Sequence, residues 1–254
     1  MLSDIRAIYR QTLKKREHPW IVYGTRPFAA VVVYALRNTR VTPNQVTLAA
    51  FLTSLVGAAV MLGWTTWPGL LVSVLIYQGA YVLDCADGQL ARYQGVSSKA
   101  GHLLDFMMDE LKAKILYGAV AVRLYRMEDD PLYLLVGVGG VALISMALSL
   151  TTFTRRPEVV ETTAAAPSTA HADEAASSEA SPPPPSVLKR LVRMVEWVAQ
   201  QMMNYPTYIV LLALFNAIEI YFWLYLAVYA VYTARTFMVI VLKLGRFAPP
   251  RANP

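Results

Sequence analysis

The chain has 254 residues, 56% of them hydrophobic, with a mean hydropathy of +0.40 and a net charge of +6. Its apolar residues gather in long blocks, the pattern of a polytopic, all-α membrane protein, and its single cysteine, Cys85, excludes a disulfide framework and a cysteine-based metal site. In so apolar a chain the positive charge suits anionic lipid and an orientation bias, and no basic and aromatic interleaving points to nucleic acid.

The first twenty residues carry Arg6, Arg10, Lys14, Lys15 and Arg16 without an apolar stretch, so no cleavable signal is expected and the N-terminus is expected to stay in the cytoplasm. Segments 3–16 and 27–37 are predicted to be amphipathic helices lying at the membrane interface. Transmembrane helices are predicted at 45–63, 67–86, 102–124 and 131–153, and the block 206–245 is long enough for two more that meet near Asn216 to Tyr221. Residues 158–186, rich in Ala, Ser, Thr, Glu and Pro, have the composition of a disordered cytoplasmic loop. The following stretch from Val187 to Met203 sets Leu191, Val195 and Val198 against Lys189, Arg190 and Arg193, as an interfacial helix would.

The expected organisation is therefore 1–44 as a cytoplasmic region with interfacial helices and 45–153 as transmembrane helices one to four. A cytoplasmic loop and helix follow over 154–204, then helices five and six with a cytoplasmic tail over 205–254. With six spans nearly all Lys and Arg fall on one side, which the charge bias makes cytoplasmic. Arg123 and Arg126 are the exceptions, expected in an opposite-side loop beside Glu128, Asp129 and Asp130. No repeat of fixed period is present.

The stretch from Tyr81 to Glu110 carries Asp84, Asp87, Asp105 and Asp109 at the edges of two apolar helices. Carboxylates beside lipid cost a few kcal/mol each and usually line a cavity, hold an ion or take part in transfer. At about 100° per residue, Asp84, Asp87, Gly88 and Ala91 share an arc of about 100° on one helix, and Gly101, Asp105 and Asp109 drift only about 80° on the next. A short turn around Gln94 to Lys99 lets the two faces fold towards each other, with Gly88, Ala91 and Gly101 making room for a bulky polar ligand. Four facing acids need cations, and oxygen-only ligation favours magnesium or manganese. Two such ions about 4 Å apart could clamp a pyrophosphate.

The run Asp84, two residues, Asp87, Gly88, two residues, Ala91, Arg92, eight residues, Gly101, three residues, Asp105, three residues, Asp109 resembles the CDP-alcohol phosphotransferase motif at every position. The resemblance implies that Asp84, Asp87 and Asp105 ligate metal and that Asp109 shares in ligation and serves as the base for the acceptor hydroxyl. It also implies that Arg92 faces the diphosphate and that Gly88, Ala91 and Gly101 border the cytidine nucleotide. Pro43, Asn44 and Thr47 resemble a segment common in relatives, and equally suit the plain start of a helix.

Around this motif, Lys112 returns to the Asp105 face, where it either touches a phosphate or neutralises the aspartates, whereas Lys114 points away as a partner for Glu110. Arg235, within the sixth predicted span, either binds an acidic acceptor or forms an interhelical ion pair. Arg155 and Arg156 read as cytoplasmic anchors of the fourth helix, His18, His102 and His171 as nonessential, and Cys85 and the aromatics from Tyr205 to Tyr232 as packing and interface residues.

The resemblance implies an enzyme of phospholipid synthesis with two Mg2+ or Mn2+ ions, CDP-diacylglycerol as donor, a small polar alcohol as acceptor and CMP as the released product. It also implies a homodimer among membrane lipids, expected in a bacterial inner (cell) membrane with the site facing the cytoplasm. The sequence Leu104 to Glu110 lacks the proline and lysine tail associated with glycerol-phosphate-using relatives, which leaves serine, inositol or inositol phosphate, and glycerol-type acceptors. A CDP-choline or CDP-ethanolamine donor with diacylglycerol, a cation transporter using the aspartates as an ion path, and a noncatalytic lipid-binding scaffold are the competing readings.

Overall fold

The computed structural model describes residues 1–13, 21–159 and 208–245, and among these every regular element is helical. In chain order these are α1 (Leu2–Thr12), a π-helical turn (Ile21–Thr25), α2 (Arg26–Leu36), α3 (Pro43–Gly63), α4 (Trp67–Gln94) and α5 (Lys99–Glu128), then α6 (Leu132–Thr154), α7 (Ile209–Leu214) and α8 (Ile218–Gly245). Four helices, α3, α4, α6 and α8 through Leu242, are long and apolar enough to cross a membrane, and the chain is a membrane protein. Six spans were expected. The 30 residues of α5 reach about 45 Å, but acids and bases interrupt its apolar surface, and α7 covers six residues. The expected loop, apart from Glu158 and Val159, and the expected helix at 187–203 lie outside the described residues, as do His18 and His171.

Local chemistry sets the helix ends. Thr42 and Gln45 close a capping box at the start of α3: the Gln45 amide donates to Thr42 Oγ1 at 3.3 Å and the Thr42 amide to Gln45 Oε1 at 2.9 Å, with Pro43 as the first helical residue. Gly95, at φ 69°, ends α4 in the left-handed conformation that glycine adopts without steric cost. Ser98 Oγ accepts from the Gly101 amide at 3.0 Å and starts α5. The turn between α4 and α5 is thus Gly95 to Ser98, within the predicted one, but α4 runs eight residues beyond its predicted end at 86, so the motif from Asp84 to Ala91 lies wholly inside one helix. Likewise α5 continues to Glu128 and carries Arg123 and Arg126 on the helix, which corrects their expected placement in a loop. Asn216, at φ 53°, breaks the chain between α7 and α8 at the predicted junction.

The chain divides into two compact units, Met1–Val141 with Asn204–Trp223 and Ala142–Met203 with Leu224–Pro254. In the first, α3 packs along both α4 and α5, and α1 and α2 lie against α4. Small residues permit the close crossings: Ser73 Oγ donates to the Gly57 carbonyl at 2.8 Å, and a Cβ on Gly57 would stand 3.0 Å from the Tyr77 ring. Ala29, Ala30 and Val33 of α2 are buried against Cys85, Ala86 and Leu90, on the stretch of α4 that carries the motif. By contrast α4 and α5 make few close backbone approaches to each other. They face one another across a gap, which the Lys112 side chain of α5 spans to reach Asp84 of α4. In the second unit, Thr151 and Tyr232 hydroxyls lie 3.0 Å apart and the Tyr225 and Tyr229 rings 4.7 Å apart.

Gly140 of α6 gives a test of this packing in the first unit. A Cβ there would run into the ring of Tyr117, which is fully buried and stacked on Phe222 at 5.0 Å and so has nowhere to swing. Gly140→Ala is expected to destabilise the protein by about 1–3 kcal/mol, read as a lowered Tm, while Gly139→Ala, where a Cβ meets nothing within 4 Å, is expected to leave Tm unchanged.

Candidate functional site

The candidate site lies in the first unit, where the C-terminal half of α4 and the N-terminal half of α5 face each other beside the start of α3. Helical spacing brings Asp84 and Asp87 to one side of the gap and Asp105 and Asp109 to the other. One carboxylate oxygen from each of Asp84, Asp105 and Asp109 lies within 4.8 Å of the other two. Ligands of a single hard cation at 2.0–2.1 Å stand at most about 4.2 Å apart across it, so this trio fits an ion of that kind with little adjustment. Asp87, the fourth acid, is 5% exposed and stands outside the trio, accepting from Thr47 Oγ1 at 2.5 Å.

Lys112 answers part of this negative charge. Its side chain, 3% exposed, donates to Asp84 and, at 2.7 Å, to Asp109. The aspartate-neutralising contact is thus the one observed for Lys112. Lys114 meets Glu110 at 3.2 Å, as its spacing predicts. The acids differ in exposure, Asp109 at 52% against 13% for Asp84, so Asp109 is the more open to an incoming molecule.

Beside the trio lies a cavity of about 310 Å³, lined at the start of α3 by Thr42, Asn44 and Thr47, from α4 by Asp87, Gly88 and Ala91, and from α5 by Gly101, His102 and Asp105. Asp105 belongs to both the cavity and the trio. Gly101 favours close approach, since a Cβ would sit 3.3 Å from both Asn44 Oδ1 and Ser98 Oγ and would press on them. Gly88 and Ala91 contribute backbone and minimal side chain to the wall.

Arg92 reaches towards α1. Its Nε donates to the Thr12 carbonyl at the end of α1 at 2.8 Å, and its guanidinium passes beside Gly88 without lining the cavity. Arg26, not singled out from the sequence, is buried and donates to the Cys85 carbonyl at 2.8 Å, tying the start of α2 to the motif helix. Cys85 itself is buried against α2, as its packing assignment requires. Arg235 lies on α8 in the second unit.

Two cavity residues carried little signal in the sequence. Thr47 also stands 3.2 Å from the Pro43 carbonyl, but its one hydroxyl proton is better used on the charged Asp87. Pro43 and Thr47 therefore serve as a helix start and as a site wall together. His102, set aside on angular grounds, lines the cavity with Nε2 3.2 Å from Ser97 Oγ. A first-turn side chain leans back over the residues before the helix, which an angular count from Gly101 does not capture.

A model of the CDP-alcohol phosphatidyltransferase family matches residues 40–178, more than half of the chain. The bifunctional IPC transferase and DIPP synthase of Thermococcus kodakarensis is 39% identical over 70 residues. That segment is 28% of this chain and 15% of that protein.

Removal of one carboxylate from the trio is expected to weaken Mn2+ binding by more than roughly tenfold, beyond the loss of an outer-shell partner. Mn2+ titration by electron paramagnetic resonance checks this in Asp84→Asn and Asp105→Asn. Glu110→Gln, which alters an acid paired to Lys114 outside the trio, is expected to bind Mn2+ as the unaltered protein does.

Proposed function

Because the chain belongs to the CDP-alcohol phosphatidyltransferase family, we propose that it transfers a substituted phosphate from CDP-diacylglycerol to the hydroxyl of a small polar acceptor and releases CMP. The observation that carries this reading is the junction of a cation-fitting acidic trio with a cavity through the shared residue Asp105. The cavity takes the cytidine nucleotide against Gly88, Ala91 and Gly101, whose small side chains let the ligand approach the backbone. Asp84, Asp87, Asp105 and Asp109 would hold two Mg2+ or Mn2+ ions. Such ions neutralise charge on the diphosphate and polarise the phosphoryl group.

The residues of the chain do the remaining work. Asp109, more exposed than Asp84, accepts the proton of the acceptor hydroxyl. The acceptor oxygen forms a bond to the phosphorus that carries the donor alcohol, and the bond from that phosphorus to the oxygen of CMP breaks. Thr47 holds the Asp87 carboxylate in one orientation through its hydroxyl. Lys112, in contact with Asp84 and Asp109, supplies a donor to the phosphate as it moves between them. In this reading the protein works as a homodimer in a bacterial inner membrane, with α1 and α2 at the cytoplasmic interface and the cavity open to that side.

The test is CMP release by purified protein with Mg2+, pairing CDP-diacylglycerol and other CDP-alcohols with a panel of acceptors. Acceptor-dependent CMP is expected, and Asp109→Asn is expected to lower kcat by about 100-fold or more, the scale of a lost general base. Binding of CDP-alcohol without CMP release across the panel would make the protein a scaffold, and cation flux through vesicles without CMP would make it a transporter.

A further inference from the structure

We propose that Arg123 is a positioning residue that fixes the register of α5 along its axis, and so sets Asp105, Asp109 and Lys112 opposite the acids of α4. What that register serves rests on the transfer reading above; the register itself rests on geometry. Arg123 is fully buried. Its Nη1 donates to the carbonyls of Trp64 at 2.8 Å and Met61 at 3.5 Å, and its Nη2 to those of Thr65 at 2.6 Å and Thr66 at 2.9 Å. These carbonyls form the end of α3 and the turn into α4, where helix-end oxygens need outside partners. Arg126 adds a bond from Nη1 to the neighbouring Leu62 carbonyl.

A guanidinium reads such an array as a planar fork with several fixed donors, which an ammonium cannot copy. Sliding α5 by one residue would displace the fork by 1.5 Å and turn it by about 100°, breaking the set. The site depends on that position because α5 is continuous from Lys99 to Glu128. Asp105 lies eighteen residues before Arg123, five whole turns and about 27 Å away on the same face, and Lys112 lies within about 20° of that face.

No tight seam between α4 and α5 does this work, since their backbones make few close approaches. Both helices pack on α3 instead, and Arg123 ties α5 to the point where α3 becomes α4. A buried charge is a costly way to close a turn, and an apolar plug would avoid that cost. What the fork adds is a fixed position.

The test uses the full chain in nanodiscs with Cys85→Ser as background, spin labels at Leu75 and Leu103, which are 64% and 70% exposed on α4 and α5, and an Mn2+ titration. Arg123→Met is expected to shift or broaden the interlabel distance by about 1.5 Å or more, one helical step. It is also expected to raise the Kd for Mn2+ roughly tenfold, the scale for groups that orient metal ligands. Ile8→Ala, a buried α1 residue packed in the cluster with α2 and α4 that lowers stability away from the carbonyls of residues 61–66, is expected to change neither. Arg123→Lys, which keeps the charge and loses the fork, is expected to fall between, and it decides the matter where Arg123→Met does not fold. An interlabel distance that stays the same in the folded arginine variants overturns the inference. Mn2+ binding without CMP release in the unaltered protein would overturn the transfer reading instead, leaving the register to be judged by the distances.

Discussion

Four carboxylates on two neighbouring membrane helices repel one another, and their repulsion grows as water is withdrawn. Much of the first unit can be understood as a response to that constraint. Lys112 places one positive charge between Asp84 and Asp109, and Thr47 gives Asp87 a short hydrogen bond. Neither balances the set. One buried ammonium leaves most of the negative charge available to cations, and the trio formed by Asp84, Asp105 and Asp109 has the spacing to hold one.

The architecture keeps the acids facing without letting the helices close over them. α3 packs along both α4 and α5 and acts as their spacer. Its first turn forms one wall of the cavity, and the turn at its other end receives Arg123. A single helix therefore sets both the room beside the carboxylates and the far anchor of α5. On the opposite side of α4, small residues of α2 bury Cys85, Ala86 and Leu90, and Arg26 and Arg92 tie the start of α2 and the end of α1 to the same stretch. The motif helix is held on two sides, with Asp84 and Asp87 turned towards α5 and α3.

The parts legible in the sequence were those governed by local rules. Three-residue and four-residue spacing put the acids on common faces, the turn was placed around Gln94 to Lys99, and Asn216 stood at the break between α7 and α8. Apolar length misjudged α4 and α5, because helices carrying a site continue through charged residues that a hydropathy boundary treats as an end. Arg123 looked like a loop residue for that reason, and its four carbonyl partners, about sixty residues away in sequence, left no local trace. Arg92 followed the same logic, since its contact with Thr12 depends on where α1 packs. The carboxylates were predictable as a set, but the division that leaves Asp87 with Thr47 and Asp105 shared between trio and cavity required the fold.

Membership of the CDP-alcohol phosphatidyltransferase family gives these features a common purpose. The cavity shares Asp105 with the acidic trio, and the trio also holds the more exposed Asp109. The most direct test is a structure of the protein with CDP-diacylglycerol and Mn2+, using anomalous scattering to locate the metal. The account predicts manganese among Asp84, Asp87, Asp105 and Asp109, with cytidine against Gly88, Ala91 and Gly101 and the diphosphate between them. Manganese away from these acids, or a nucleotide bound elsewhere, would contradict it.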